Sequence, residues 1–282
     1  MKSEGTASAA DFFADGQEIA MWGTVAAVLL AMTVTVTPPG SRKTGDVAAG
    51  AQKFSGEYTV SFLGLPVARS NFESVISGDR FTVNGQVSSA GVGRLFDSTV
   101  GNSKVSGSFV GKATRADSFR IQYKSGKETQ TTAIRFVGGN VAKTVNVPPL
   151  RKRSNWVALK AADLRSVSDP ISATLIRADG PGDVCNRTLR VYDGQMRVNL
   201  QLSYVSKGPV SGYDGEAVTC SAKFIPVSGY RSNNRSVSYL RDRAKISVSF
   251  APLGETGVYA PVRASVSTTI GTVTVNARRT KS

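Results

Sequence analysis

From Phe54 onward, hydrophobic and polar side chains alternate with a period of two. Tyr58, Val60 and Phe62 are separated by Thr59 and Ser61, while Phe81, Val83 and Val87 share one face opposite Thr82, Asn84 and Gln86. This is the pattern of strands with one buried and one wet face. It returns at Val198, Leu200, Leu202 and Tyr204, at Ile246, Val248 and Phe250, at Val262, Ala264 and Val266, and at Val273, Val275 and Ala277. Short turn signals separate the runs, among them Ser77-Gly78-Asp79, Ser125-Gly126-Lys127, Gly138-Gly139-Asn140, Asp193-Gly194 and Asp214-Gly215. Connections of that length join antiparallel neighbours. The chain is therefore expected to be mainly β, an antiparallel, strongly curved sheet forming an open β-barrel or β-spiral.

The rhythm breaks twice. Between 156 and 178, Trp156, Leu159, Leu164 and Val167 fall at helical spacings, and Asp169 stands as a capping residue directly before Pro170. A short helical insert is expected there, plugging an open end or covering a sheet face. Ahead of the strands, Ile19 to Val36 is an uncharged, largely apolar run of eighteen residues, at the boundary between a signal-peptide core and a short membrane-spanning helix. Either reading implies export. Its flanks are atypical, because Lys2 is outnumbered by Glu4, Asp11, Asp15 and Glu18. The expected organisation is a signal or signal-anchor segment and linker over residues 1–50, then a single β domain over 51–282.

Charge narrows the partners. The formal net charge is +15, and the basic residues are scattered. Such a balance favours anionic partners, but without a long basic run or interleaved aromatics it does not suit nucleic acid. The densest cluster, Arg151, Lys152 and Arg153, follows Pro148 and Pro149. Histidine is absent, which excludes Ser-His-Asp and Cys-His catalysis and His-ligated metal sites. No catalytic residue, cofactor or metal is expected. Cys185 and Cys220 are the only cysteines. In an oxidising compartment they are expected to form a structural disulfide, since a redox pair would show Cys-x-x-Cys and a metal would need more ligands.

Three stretches carry a family likeness: YTVSFLGLPVARSNF, DLRSVSDPISATLI, and CNRTLRVYDGQMRVNLQLSY followed by YDGEAVTCSAKFIPVSGYR. Over most of residues 54–278 the chain resembles the bacterial envelope family catalogued as domain of unknown function 3108. The resemblance implies a periplasmic protein with an incompletely closed barrel or spiral, similar in shape to proteins that bind lipid or maintain envelope integrity. It implies no catalytic residues.

The leading functional expectation is a non-enzymatic periplasmic protein binding a lipid, lipoprotein or anionic envelope component. Arg151, Arg153, Arg187 and Arg190 would meet an anionic headgroup, and the inner membrane would be touched only through the N-terminal segment. One alternative is a carboxylate-type enzyme acting on cell-wall glycan, using Asp193, Asp214 and Glu216 brought together by the disulfide. Another is an interaction module that adds a strand through an exposed sheet edge.

Overall fold

A computed structural model describes residues 50–95, 98–151 and 154–278; the N-terminal apolar run lies outside the described residues. The first half is a meander of long hairpins: β1 (Ala51–Phe62), β2 (Leu65–Ser77), β3 (Arg80–Ser89), β4 (Thr99–Val110), β5 (Ala113–Ser125), β6 (Glu128–Val137) and β7 (Asn140–Val147). A segment of short elements follows, with β8 (Trp156–Val157) and β9 (Ile176–Arg177) as two-residue strands. The second half supplies β10 (Arg187–Tyr192), β11 (Arg197–Val210), β12 (Tyr213–Ser228), β13 (Tyr230–Arg231), β14 (Ile246–Pro252), β15 (Val258–Thr268) and β16 (Gly271–Arg278), with the helix α1 (Arg235–Asp242) before β14.

Fourteen strands form one antiparallel sheet. Its order is β10-β11-β12-β14-β15-β16-β1-β2-β3-β4-β5-β6-β7, with β9 paired to β15, while β8 and β13 form a separate pair. The chain enters at β1 in the middle of the sheet and builds outward, and β16 returns to pair with β1. The edge strands β7 and β10 are not paired with each other, so main-chain pairing does not close the sheet into a barrel.

Alternation places one face of most strands in the core, though β7 buries no residue fully. Tyr58, Phe81, Val83, Val105, Phe250 and Val275 are almost fully buried, and the buried apolar side chains of both halves form a single cluster. The Tyr58 hydroxyl donates to Pro261 O at 3.0 Å, satisfying the one polar group of that ring.

The region 156–178 contains no α-helix. Its elements are 3-10 turns, Ala161–Leu164 and Ser172–Thr174, between the short strands. Side chains take up the local backbone groups instead: Asp169 Oδ1 accepts from both Ile171 N and Ser172 N at 2.9 Å, and Thr174 Oγ1 donates to Ile171 O at 2.8 Å. Such bonds compete with helix propagation. Of the apolar residues at helical spacing Val167 is buried, while Trp156, Leu159 and Leu164 are partly buried, and long-range contacts hold this segment as a strap across the sheet. Thr114 Oγ1 on β5 donates to Leu175 O at 2.5 Å, and Ser168 forms an isolated parallel bridge with Val191 on β10. The strap thus lies against β5, β10 and β15, covering the core as expected of an insert. The described helix is α1, capped by Asn234, whose Oδ1 accepts from Val237 N at 3.0 Å.

Asp169 is fully buried and its Oδ2 has no hydrogen-bond partner. Burial pushes its carboxyl up to about 6. A carboxyl whose folded value lies above its unfolded value favours folding when protonated, so its contribution falls as pH rises from about 4 through about 6. Asp169→Asn keeps the Oδ1 acceptor and removes the titration. Between pH 4 and pH 7 the wild-type chain should therefore lose on the order of 2 kcal/mol relative to Asp169→Asn. Urea unfolding of both proteins at the two pH values checks this, and parallel pH profiles would refute it.

Candidate functional site

Cys185 precedes β10 and Cys220 lies within β12; the two form a disulfide with Cα atoms 5.7 Å apart. Both are buried. The bridge crosses the intervening strand β11, where Tyr204 is the register partner of Cys220. It anchors the segment 178–186, which runs from β9 to β10 and carries Asp179 and Asp183.

Through Asp183, which accepts from Lys112 and Arg187, that segment adjoins a cleft of about 350 Å³ that both of these cations line. The β4–β5 turn supplies Lys112, the start of β5 supplies Arg115, the β6–β7 turn supplies Gly138 and Gly139, and β10 supplies Arg187 and Arg190. Leu175 and Leu189 contribute apolar surface. The cleft therefore lies between β5, the β6–β7 turn and β10, roofed by the strap at Ser166–Ser168. Val167 N donates to Gly139 O at 2.9 Å, Ser168 N to Arg190 O at 3.0 Å, and Ser168 Oγ to Thr114 O at 3.2 Å.

The four cations are not equivalent. Lys112 Nζ lies 2.7 Å from both Asp179 Oδ2 and Asp183 Oδ2. The hydrogen bond to Asp179, then that to Asp183, holds its ammonium above the ordinary lysine range, and Lys112 in turn holds Asp183 below the usual carboxylate range. Arg187 is half-buried and donates to Asp183 O, and burial lowers its guanidinium from the ordinary value. Arg190 Nη2 donates to Arg165 O at 3.0 Å. Among the described residues no carboxylate forms an ion pair with Arg115, Arg187 or Arg190. The cleft thus carries excess positive charge.

Of the basic residues singled out in the sequence, Arg187 and Arg190 meet in this cleft. Arg151 does not: it is exposed beyond the far end of β7, whose eight residues at about 3.3 Å each put roughly 25 Å between it and the Gly138–Gly139 turn. Arg153 lies outside the described residues. Lys112 and Arg115 escaped the sequence reading because isolated basic residues beside a Gly turn look like ordinary hairpin surface; nothing local says which strand edge faces them.

Of the carboxylates proposed for glycan hydrolysis, Asp193 is kept apart from Asp214 and Glu216. Asp193 closes the β10–β11 turn, its Oδ1 accepting from Gln195 N at 2.7 Å and Met196 N at 2.6 Å. Asp214 and Glu216 sit at the opposite end of β11, roughly 40 Å away along fourteen residues, and Glu216 is paired with Lys207 at 2.5 Å. Paired glycosidase carboxylates stand about 5–9.5 Å apart, so Asp193 cannot pair with either of the other two. Among the described residues no group of three His, Cys, Asp or Glu side chains could hold a metal ion, and no helix is long and apolar enough to cross a membrane.

The stretches that carry the family likeness build this region: DLRSVSDPISATLI contributes the strap, and the Cys185 stretch contributes β10 with Arg187 and Arg190. The family profile described as Protein of unknown function (DUF3108) matches residues 57–278. The chain belongs to this family. No curated protein and no solved structure matches it. The DUF3108 match spans β1 to β16 and therefore includes both walls of the cleft and both cysteines.

Proposed function

We propose that this chain is a non-enzymatic binding protein of the bacterial cell envelope, exported to the periplasm, that holds an anionic amphipathic ligand such as a lipid or a lipid-bearing envelope component. The observation that carries this reading is the cleft between the sheet edges, in which Arg115, Arg187 and Arg190 surround apolar surface from Leu175 and Leu189. A volume of about 350 Å³ accommodates a headgroup and part of a chain. The net charge of +15 favours the same class of ligand. The disulfide favours the oxidising compartment that the N-terminal apolar run implies.

We further read the sheet as a curved, open spiral whose edges are drawn together without pairing. One side-chain bond and one set of main-chain bonds support this. Asn146 Nδ2 on β7 donates to Gly194 O at 3.0 Å, beside the end of β10, and the strap bonds to both edges.

Isothermal titration with dioctanoyl phosphatidylglycerol tests the binding reading, with glycerol phosphate and dioctanoyl phosphatidylcholine as headgroup-only and uncharged comparisons. The wild-type chain should prefer the anionic lipid over both. Reversing Arg115 and Arg190 to Glu should weaken binding by about 10- to 100-fold, the worth of one or two charge-assisted hydrogen bonds. Equal affinity in the charge-reversed protein would remove the cleft from consideration.

A further inference from the structure

At the end of the strands opposite the cleft, the β1–β2 hairpin turns through Leu63 and Gly64. Both have positive φ, +51° and +82°. A two-residue turn of this mirror-image kind is ordinarily filled by Asn-Gly or Asp-Gly, because a side chain such as leucine meets steric strain in the left-handed region. Leu63 is also 63% exposed, and its neighbour Leu65 is 55% exposed. Backbone preference and hydration both disfavour leucine here. Its side chain covers part of Gly271, but most of it stays in water, and a strained, largely exposed apolar residue points to a task outside the fold.

The adjoining tip extends the patch. Leu63 N donates to Thr272 O at 3.0 Å, bringing the β15–β16 turn alongside, and that turn presents Ile270 at 38% exposure. Strand order then places basic groups on both flanks. On one side Lys245, at the start of β14, exchanges hydrogen bonds with Ser267 at 2.7 and 3.0 Å, with Arg243 two residues before it. On the other, the 3-10 turn Gly91–Leu95 packs on the start of β2 and carries exposed Arg94. The described carboxylate nearest in sequence to Lys245 is Asp242, which is paired with Arg241 at 2.7 Å.

We infer that the paired tips carrying Leu63, Leu65 and Ile270 dock onto the surface of an anionic lipid bilayer, with the leucines entering the interface and Arg94, Arg243 and Lys245 meeting headgroup phosphates. Charge complementarity selects a bilayer over a neutral apolar partner. Shallow apolar insertion assisted by flanking cations is how peripheral elements bind membranes reversibly. This contact is separate from the N-terminal apolar segment, through which alone the sequence suggested membrane contact, and independent of the cleft.

The test uses the full chain and a local readout, so that binding through the N-terminal segment does not obscure the result. Hydrogen–deuterium exchange is followed in peptides spanning residues 61–66 and 268–273, with vesicles of phosphatidylglycerol and phosphatidylethanolamine or of phosphatidylcholine alone. Exchange at both tips should slow on the anionic vesicles, and much less on the neutral ones. Leu63→Asn should abolish the slowing, or weaken partitioning by about tenfold or more, while the melting temperature stays equal or rises because Asn-Gly suits the turn. Leu65→Asn provides a second variant that leaves the turn untouched. Tips that exchange equally fast with and without anionic vesicles would overturn the inference. So would slowing that grows with protein concentration in the absence of lipid, which would indicate a second copy of the chain. A fall in melting temperature for Leu63→Asn with lipid protection retained would show that Leu63 serves only to cover Gly271.

Discussion

Replacing Cys185 and Cys220 together with alanine is expected to lower unfolding free energy by about 4 kcal/mol. The bridge closes a loop with a sequence separation of 35, and in the chain-entropy model a closed loop of about that size restricts the unfolded chain by roughly this amount. Against the roughly 5–15 kcal/mol that typically holds a domain together, this is a large share. For a domain of this size it corresponds to a melting temperature lower by roughly 10 °C. The loss should also be felt locally. The disulfide fixes the segment bearing Asp179 and Asp183 two residues before Arg187, so the double variant should bind an anionic lipid more weakly even under conditions where it is folded. Urea unfolding, with the wild-type chain in reductant as a second measure, gives the first quantity, and titration gives the second. A stability change below about 1 kcal/mol would show that the native contacts around β10 already restrict the chain without the bond.

Gly229→Ala is expected to be nearly as damaging, at about 3 kcal/mol. Gly229 links β12 to β13 with φ +80°, and its N–H donates to Val157 O at 2.7 Å. A Cβ there would stand 1.9 Å from Gln195 O and 2.9 Å from Met196 Cα. Both obstacles are backbone and cannot swing aside. The left-handed conformation costs an alanine about 1–2 kcal/mol, and the overlap adds about 1–3 kcal/mol as the β10–β11 turn shifts. Gly111→Ala is the matched comparison: it has positive φ, +57°, but nothing within 4 Å of its Cβ, so only the conformational cost of about 1 kcal/mol remains. Thermal unfolding of the two variants separates overlap from strain. Equal losses would mean that the backbone at Gln195 yields easily.

The regular strands were legible because their signal is local. Phe81 and Val83, or Val273, Val275 and Ala277, announce a half-buried strand through their immediate neighbours, and the glycine turns between runs announce antiparallel order. The region 156–178 misled for the opposite reason. Trp156, Leu159, Leu164 and Val167 sit at helical spacings, but only Val167 is fully buried and the segment is held by partners far away in sequence, while Asp169 and Thr174 bond the backbone into single turns. The helix α1 was overlooked although its signal was present: Asn234 is a good N-cap, but the segment it begins is rich in Ser and Arg and buries little beyond Val237 and Leu240.

The strand character, the antiparallel order and the two cysteines available for a bridge were all readable before any coordinates, since each depends on residue type and short-range spacing. Which charges share a site was not. Arg187 and Arg190 join Lys112 and Arg115 in one cleft, whereas Arg151 sits at the far end of β7, and Asp193 lies a strand's length from Asp214. Those placements follow from the order of fourteen strands in one sheet and from a strap that bonds both to the β6–β7 turn and to β10. Which turns and strand ends meet is set by register accumulated over every strand and by such long-range bonds, and no local stretch of side chains encodes it.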